Sequence, residues 1–246
     1  MSRTLIRSVV IALIFLALGV ACAAAVLAYL PDPGSAPAIF DDFNWSSTSN
    51  GFWHVNAIGA TAPIKNGVLT LKGDSIELDR RLQTDPKQTV VIAKVKATHF
   101  HKFGMGIGIY HAGTMGLEFD DDGVKCGRGT DFGWKIDVMK GWTLPPVNQW
   151  FYLKLVVNNP YPNPKDLQWA ELHLPAVKTV TITCSVFDSH ARLLARMTPV
   201  NPPPNGHYVS LDEVFMRTWD SGNDYQVDWF YAGPPSGIPG PVSLRT

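Results

Sequence analysis

The sequence predicts an all-β protein, a two-sheet antiparallel sandwich of the jelly-roll kind, and three observations carry that expectation. Stretches with a two-residue hydrophobic period recur along the chain: TVVIAKVKA (89–97), QWFYLKLVV (149–157), VTITCSVF (180–187) and YQVDWFYA (225–232). Turn signals separate them, among them Asn66-Gly67, Asp122-Gly123, NPYPNPKD (159–166), NPPPNG (201–206) and DSGND (220–224). Between the termini no long stretch shows a helical period, and no internal repeat points to a propeller or solenoid. Many short strands joined by such turns imply two packed sheets.

In chain order the first element is different. Arg3 and Arg7 precede an uncharged run from Ser8 to Leu30, long enough to cross a bilayer as one helix of about 20 residues. Residues 1–30 are therefore expected to form a transmembrane or signal helix, with the amino terminus inside and the remainder extracytoplasmic. Ala21-Cys22-Ala23 resembles a signal-peptidase site, but the run exceeds the roughly 7 to 15 apolar residues of a signal peptide, which favours an uncleaved anchor over a secreted chain. A lipid attachment at Cys22 is a weaker third reading, because Gly19 stands where leucine is usual.

A proline-rich linker (31–38) leads into the expected sandwich at 39–233, and a Pro/Gly-rich flexible tail (234–246) closes the chain. About 200 residues suffice for one domain with a proper core. Lysine plus arginine and aspartate plus glutamate balance at 21 each with no basic run, which excludes the electrostatic attraction that nucleic-acid binding requires. Only Cys126 and Cys184 lie in the domain, where Cys184 shares a face with Val180, Ile182 and Val186. A disulfide and a pair of buried thiols stand as equal alternatives.

Three segments carry chemistry-bearing residues. In GLEFDDDG (116–123), Glu118, Asp120 and Asp122 recur at every second position, while Leu117 and Phe119 alternate toward the core. The simplest reading makes the carboxylates the polar, solvent-facing side of a hairpin that turns at Asp121-Asp122-Gly123. In HFHKFGMGIGIYH (99–111), His99, His101 and His111 supply too partial a pattern for zinc and read as loop histidines. Gly104, Gly106 and Gly108 instead form a bare strand face that lets a ligand or another backbone come close. Asn44-Trp45-Ser46 fits a glycosylation acceptor.

The order of segments, an opening FDDFN, then GFWHV and IKNGVLTLKG, a closing LDEVFMRTW and a last strand YQVDWFYAG, resembles the concanavalin A-like lectin and glucanase superfamily. That resemblance covers nearly all of 39–233. It implies a jelly roll whose concave sheet holds the ligand, as in laminin-G-like modules, legume-type lectins and family 16 glycoside hydrolases. Glu118, Asp120 and Asp122 resemble the hydrolase signature Glu-x-Asp-x-Glu except at its last position. Glu118 and Asp122 would stand roughly 13 Å apart along a strand, whereas retaining hydrolysis needs carboxyls about 5 to 5.5 Å apart. In the glucanase branch calcium often ties the first and last strands, which makes Asp228, with Asp41 and Asp42, the expected ligands for that ion.

These readings favour a membrane-anchored carbohydrate-binding module, with Trp134, Trp142, Tyr152, Arg217 and Trp219 expected to line the concave face. The aromatics would stack on sugar rings and Arg217 would donate to hydroxyls. The alternatives are a retaining hydrolase with Glu118 as nucleophile, and a structural or adhesive module without a sugar site.

Overall fold

The computed structural model describes residues 38–44, 53–82, 88–109, 113–120, 123–130, 133–138, 145–158, 181–197 and 213–238. The membrane helix expected at the amino terminus lies outside them, and no helix among the described residues is long and apolar enough to cross a membrane. Fourteen strands account for most of the rest. They are β1 (Ile39–Asp41), β2 (His54–Thr61), β3 (Ile64–Lys65), β4 (Val68–Arg81), β5 (Gln88–Ala97), β6 (Phe103–Ile109) and β7 (Gly113–Asp120), followed by β8 (Gly123–Thr130), β9 (Gly133–Val138), β10 (Trp150–Asn158), β11 (Thr181–Phe187), β12 (Leu193–Met197), β13 (Glu213–Thr218) and β14 (Asn223–Gly233). A 3-10 turn, Pro235–Gly237, follows β14.

Among the described residues every pairing is antiparallel, in the order β12-β11-β10-β5-β14-β4-β13-β6-β7-β8-β9, with β1 on β14 and β2 and β3 on β4. Strand β4 makes this continuous order into two layers. Its first half, Leu69 to Gly73, pairs with β14, and its second half, Ile76 to Arg81, pairs with β13. Between them Gly73 has φ +114, a left-handed conformation that glycine adopts without steric cost. A Cβ there would also meet the Gly59 carbonyl at 2.5 Å. Beyond this point the sheet returns over itself, so that β10 and β11 contact β7 although several strands separate them in the order. The first layer holds β12, β11, β10, β5, β14 and β1; the second holds β2, the second half of β4, β13, β6, β7, β8 and β9.

The core fills the space between the layers. Alternate residues of both enter one cluster: Val91, Ala93 and Val95 of β5, Phe151, Leu153 and Leu155 of β10, Met105 and Ile107 of β6, Leu117 and Phe119 of β7. Phe119 meets Phe151 edge-on at 5.7 Å between ring centroids, one contact across the gap. Cys126 of β8 and Cys184 of β11, both inward, form a disulfide that binds the layers together. This settles the alternative left open by the sequence.

The hairpins follow their turn chemistry. Asn66 and Gly67, at φ +53 and +73, reverse the chain between Lys65 and Val68, as a two-residue turn with both central residues left-handed requires. Asp120 and Gly123 are register partners, so β7 and β8 also join across two residues. Between β13 and β14 the chain turns through Asp220 (φ +64) and Gly222 (φ +90). There the buried Asn223 amide donates to the carbonyls of Asp74, Trp219 and Asp220 at 3.0, 3.0 and 2.7 Å, fixing the turn to the bend of β4.

Candidate functional site

Residues that alternate with the core ones point to the outer faces, and the outer face of the second layer has an unusual composition. One row of register partners crosses it as Asn56, Glu77, Arg217, Gly104, Glu118 and Lys125. The neighbouring row reads His54, Asp79, Phe215, Gly106, Gly116 and Gly127. Gly108, Thr114, Gly129 and Trp134 make a third. Glycines on three adjacent strands thus form a floor of bare backbone beside a charged row. At Gly116 a Cβ would come within 2.9 Å of the Met105 carbonyl, so a side chain is excluded there.

At the edge of the floor Arg217 Nη2 donates to Glu118 Oε1 at 2.6 Å, and the two residues are 6 % and 5 % exposed. The hairpin reading placed Glu118 in solvent; the structure corrects this, because the facing residue on β6 is Gly104, which leaves room for Glu118 and Trp219 to close over it. A Cβ on Gly104 would sit 3.1 Å from Glu118 Cγ and 3.3 Å from Trp219 Cζ3. The Arg217 guanidinium lies 5.3 Å from the Phe215 ring and 5.2 Å from the Trp219 ring, giving a stack of Phe215, Arg217 and Trp219 along β13 and just beyond it. Burial makes the pair a positioning device. Its charges are desolvated and face each other, and the half-buried Trp219 lies against the guanidinium. Arg217, expected to meet sugar hydroxyls, holds Glu118 through Nη2.

The other expected site residues divide between places. Trp134 lies in β9 as the partner of Gly129, on the strand bordering the glycine floor. Only the backbone of Asp120 is described, and Asp122 and Trp142 lie outside the described residues. Tyr152 is not brought together with Arg217 and Trp219. It faces outward from the first layer, where it joins Val90, Ile92, Phe187 and Tyr231 in a second, smaller cluster. The sequence showed that Tyr152 alternates with core residues but not which layer its strand joins.

The expected calcium ligands do not converge either. Asp41 points inward and accepts from Trp53 Nε1 at 2.7 Å and from the Phe43 amide at 2.8 Å, which ties the opening strand to the core. Asp228 sits at a bulge of β14 and accepts from Lys94 on the outer face of the same layer at 2.6 Å. Asp42 accepts from Asn44 within its own turn. The Asp41 and Asp228 carboxylates lie on opposite faces of the sheet, so the three carboxylates do not together surround one ion. Among the described residues no group of three or more histidines, cysteines, aspartates or glutamates is placed to hold a metal. His99 and His101 stack on each other at 6.2 Å, where Tyr225 exchanges hydrogen bonds with the His101 backbone. His111 lies outside the described residues.

Sequence reasoning missed the His54–Asp79 pair, which lies at 2.9 Å on the edge of the glycine row, and the role of Phe215 beneath Arg217. Asp79 raises the His54 pKa, first by their hydrogen bond and then by its charge. Strand β2, HVNAIGAT, alternates too weakly to announce which residues would face the site.

No family model matches the chain, and neither does any curated protein. Solved structures do resemble it. The exoplasmic/lumenal domain of VIP36, in its form with Ca2+ and Man2 bound, superposes at TM-score 0.51 and 7% identity over 85% of this chain and 92% of that one. A protein of unknown function from Shewanella oneidensis MR-1 gives 0.50 and 12%, covering 79% and 84%. A structure from members of the human gut microbiota that express endo-acting O-glycanases gives 0.50 and 12%, covering 79% and 98%. At such identities the likeness shows the fold alone, an antiparallel β-sandwich shared with these proteins.

Proposed function

We propose that the chain binds carbohydrate on the outer face of its second layer, as an extracytoplasmic module of the concanavalin A-like, laminin-G-like type held to a membrane by its amino-terminal run. The observation that carries this reading is the glycine floor beside Trp219, itself seated on the buried Arg217–Glu118 pair. A pyranose ring offers an apolar face and a rim of hydroxyls. Bare strands let such a ring reach the backbone, a fixed indole stacks on its face, and the neighbouring Glu77 and Lys125 bring charged groups to the same row for the hydroxyls. The fold shared with a mannose-bound lumenal domain supports the same reading. No calcium requirement is assigned to Asp41, Asp42 and Asp228.

Hydrolysis by Glu118, Asp120 and Asp122 is the second reading. The engagement of Glu118 with Arg217 counts against it, since a nucleophile must reach the anomeric carbon. A glycan array probed with the full chain, with release of reducing sugar followed on the same glycans, tests both. The expected result is binding without turnover. Turnover lost in Glu118→Gln would establish the hydrolase instead, and failure to retain any glycan would remove both readings.

A further inference from the structure

On the outer face of the first layer, beside the buried cluster of Val90, Ile92, Tyr152, Phe187 and Tyr231, lies a different kind of surface. Phe40 is 52 % exposed and its ring lies 6.3 Å from Trp229, which in turn lies 6.0 Å from Tyr152. Lys94 and Lys96 sit 5.2 and 4.9 Å from the ring of Trp150. Among the described residues, outward positions here that are not buried hold Lys65, Lys72, Lys94, Lys96 and Arg196 against the carboxylates Asp42, Asp224 and Asp228, so cations outnumber carboxylates. The charged row on the second layer, by contrast, alternates in sign through Glu77, Arg217, Glu118 and Lys125.

The place where the chain enters lies on the same side as this face. Ala38 lies against Gly233 at the end of β14, and Phe40 follows two residues later on β1. Only residues 31–37 separate that point from the uncharged run ending at Leu30. Seven residues reach at most about 25 Å, while a domain of this size is roughly 40 Å across. Tryptophan, phenylalanine and lysine side by side are the composition that settles at a bilayer interface, the rings among headgroups and the ammonium groups on lipid phosphates.

We infer that the accessible part of this face, around Phe40, Trp150, Trp229, Lys72 and Lys96, rests on an anionic lipid surface. The occupant is the membrane into which residues 8–30 insert. This contact turns the glycine-floored face of the second layer away from the bilayer. The inference rests on the apolar run being retained, not on the nature of any ligand.

The test uses the full chain in a Cys22→Ser background, reconstituted into vesicles of phosphatidylcholine with or without phosphatidylserine. A nitroxide is attached through Phe40→Cys or, as a control on the other layer, through Ile58→Cys; Ile58 is 71 % exposed on β2. The expected result is that the label at position 40 collides more with oxygen dissolved in lipid than with a water-soluble nickel reagent, while the label at 58 does the reverse. The contrast should weaken without phosphatidylserine, on raising the salt concentration, and in the double variant Lys72→Glu, Lys96→Glu. Equal exposure of both labels to water, in a chain whose intact mass shows residues 1–30 retained, would overturn the inference. A mature chain found to begin near Ala24 would overturn its anchor, a result separate from any outcome of glycan binding.

Discussion

Glu118 shows how far a single residue's role depends on what faces it. Its alternation with Leu117 and Phe119 was plain from the sequence, but alternation gives a direction and not a covering. The covering comes from Gly104, which admits both the Glu118 side chain and Trp219. Breaking a buried ion pair strands a charge, so Glu118→Ala should cost about 3 to 5 kcal/mol in chemical denaturation. A loss below about 0.5 kcal/mol, the level of exposed substitutions, would return Glu118 to the solvent face of a hairpin. Asn223 is a second such residue, 2 % exposed and donating to three carbonyls. Asn223→Ala leaves those carbonyls without their donor and should destabilise by at least about 2 kcal/mol, with a loosened Trp219 visible in tryptophan fluorescence. His54 gives a pH signal. Its pKa is raised above 6.5 by the hydrogen bond and charge of Asp79, so its pairing contributes below the unfolded value and is lost as pH rises through the folded one. Because the ring is exposed the stabilisation is small, but NMR titration should place the midpoint above 6.5 and return it toward that value in Asp79→Asn.

Among the elements, those with a two-residue hydrophobic period were legible to within a residue or two: 89–97 against β5, 149–157 against β10, 180–187 against β11 and 225–232 against β14. Their legibility has a physical cause, since one side of each strand faces the core and the other does not. Asn66-Gly67 was legible because few other pairs tolerate two left-handed residues in succession. Strand β2 was not, as its residues are mostly exposed and its pattern records no buried face. The layer to which a strand belongs was also illegible. Layer assignment depends on the bend in β4 and on pairings far apart in sequence, which is why Tyr152 does not join Arg217; Asp41 and Asp228 share a layer, but their side chains leave it on opposite faces. The disulfide joins β8 to β11 across 58 residues and so restrains both layers at once. Closing a loop of that length is worth about 4 kcal/mol, and Cys126→Ser with Cys184→Ser should lower the unfolding midpoint accordingly. An unchanged midpoint would mean that the sulfurs are not joined in the folded protein.

At the scale of the whole molecule, one sheet folded at β4 gives two outer faces of opposite character. The first layer presents aromatic rings and lysines next to the point where the chain enters; the second presents a glycine floor, a buried ion pair and an indole. We assign attachment to the first face and recognition to the second, and recognition is the central proposal. The sequence marked Gly104, Gly106 and Gly108 as a bare strand face and named Trp219 separately, without placing them in one layer. It did not reveal the partners on β7, β8 and β13 that complete it, because register is fixed only once the strands pair. Two tryptophans on opposite faces allow the claim to be tested in one experiment. Glycan binding by the full chain should be compared with that of Trp219→Ala and Trp229→Ala, each shown by near-ultraviolet circular dichroism to be folded. The account expects Trp219→Ala to weaken binding tenfold or more, about 1.4 kcal/mol, and Trp229→Ala to leave it unchanged. Binding that survives the loss of Trp219 and fails with the loss of Trp229 would place recognition on the wrong face and contradict the account.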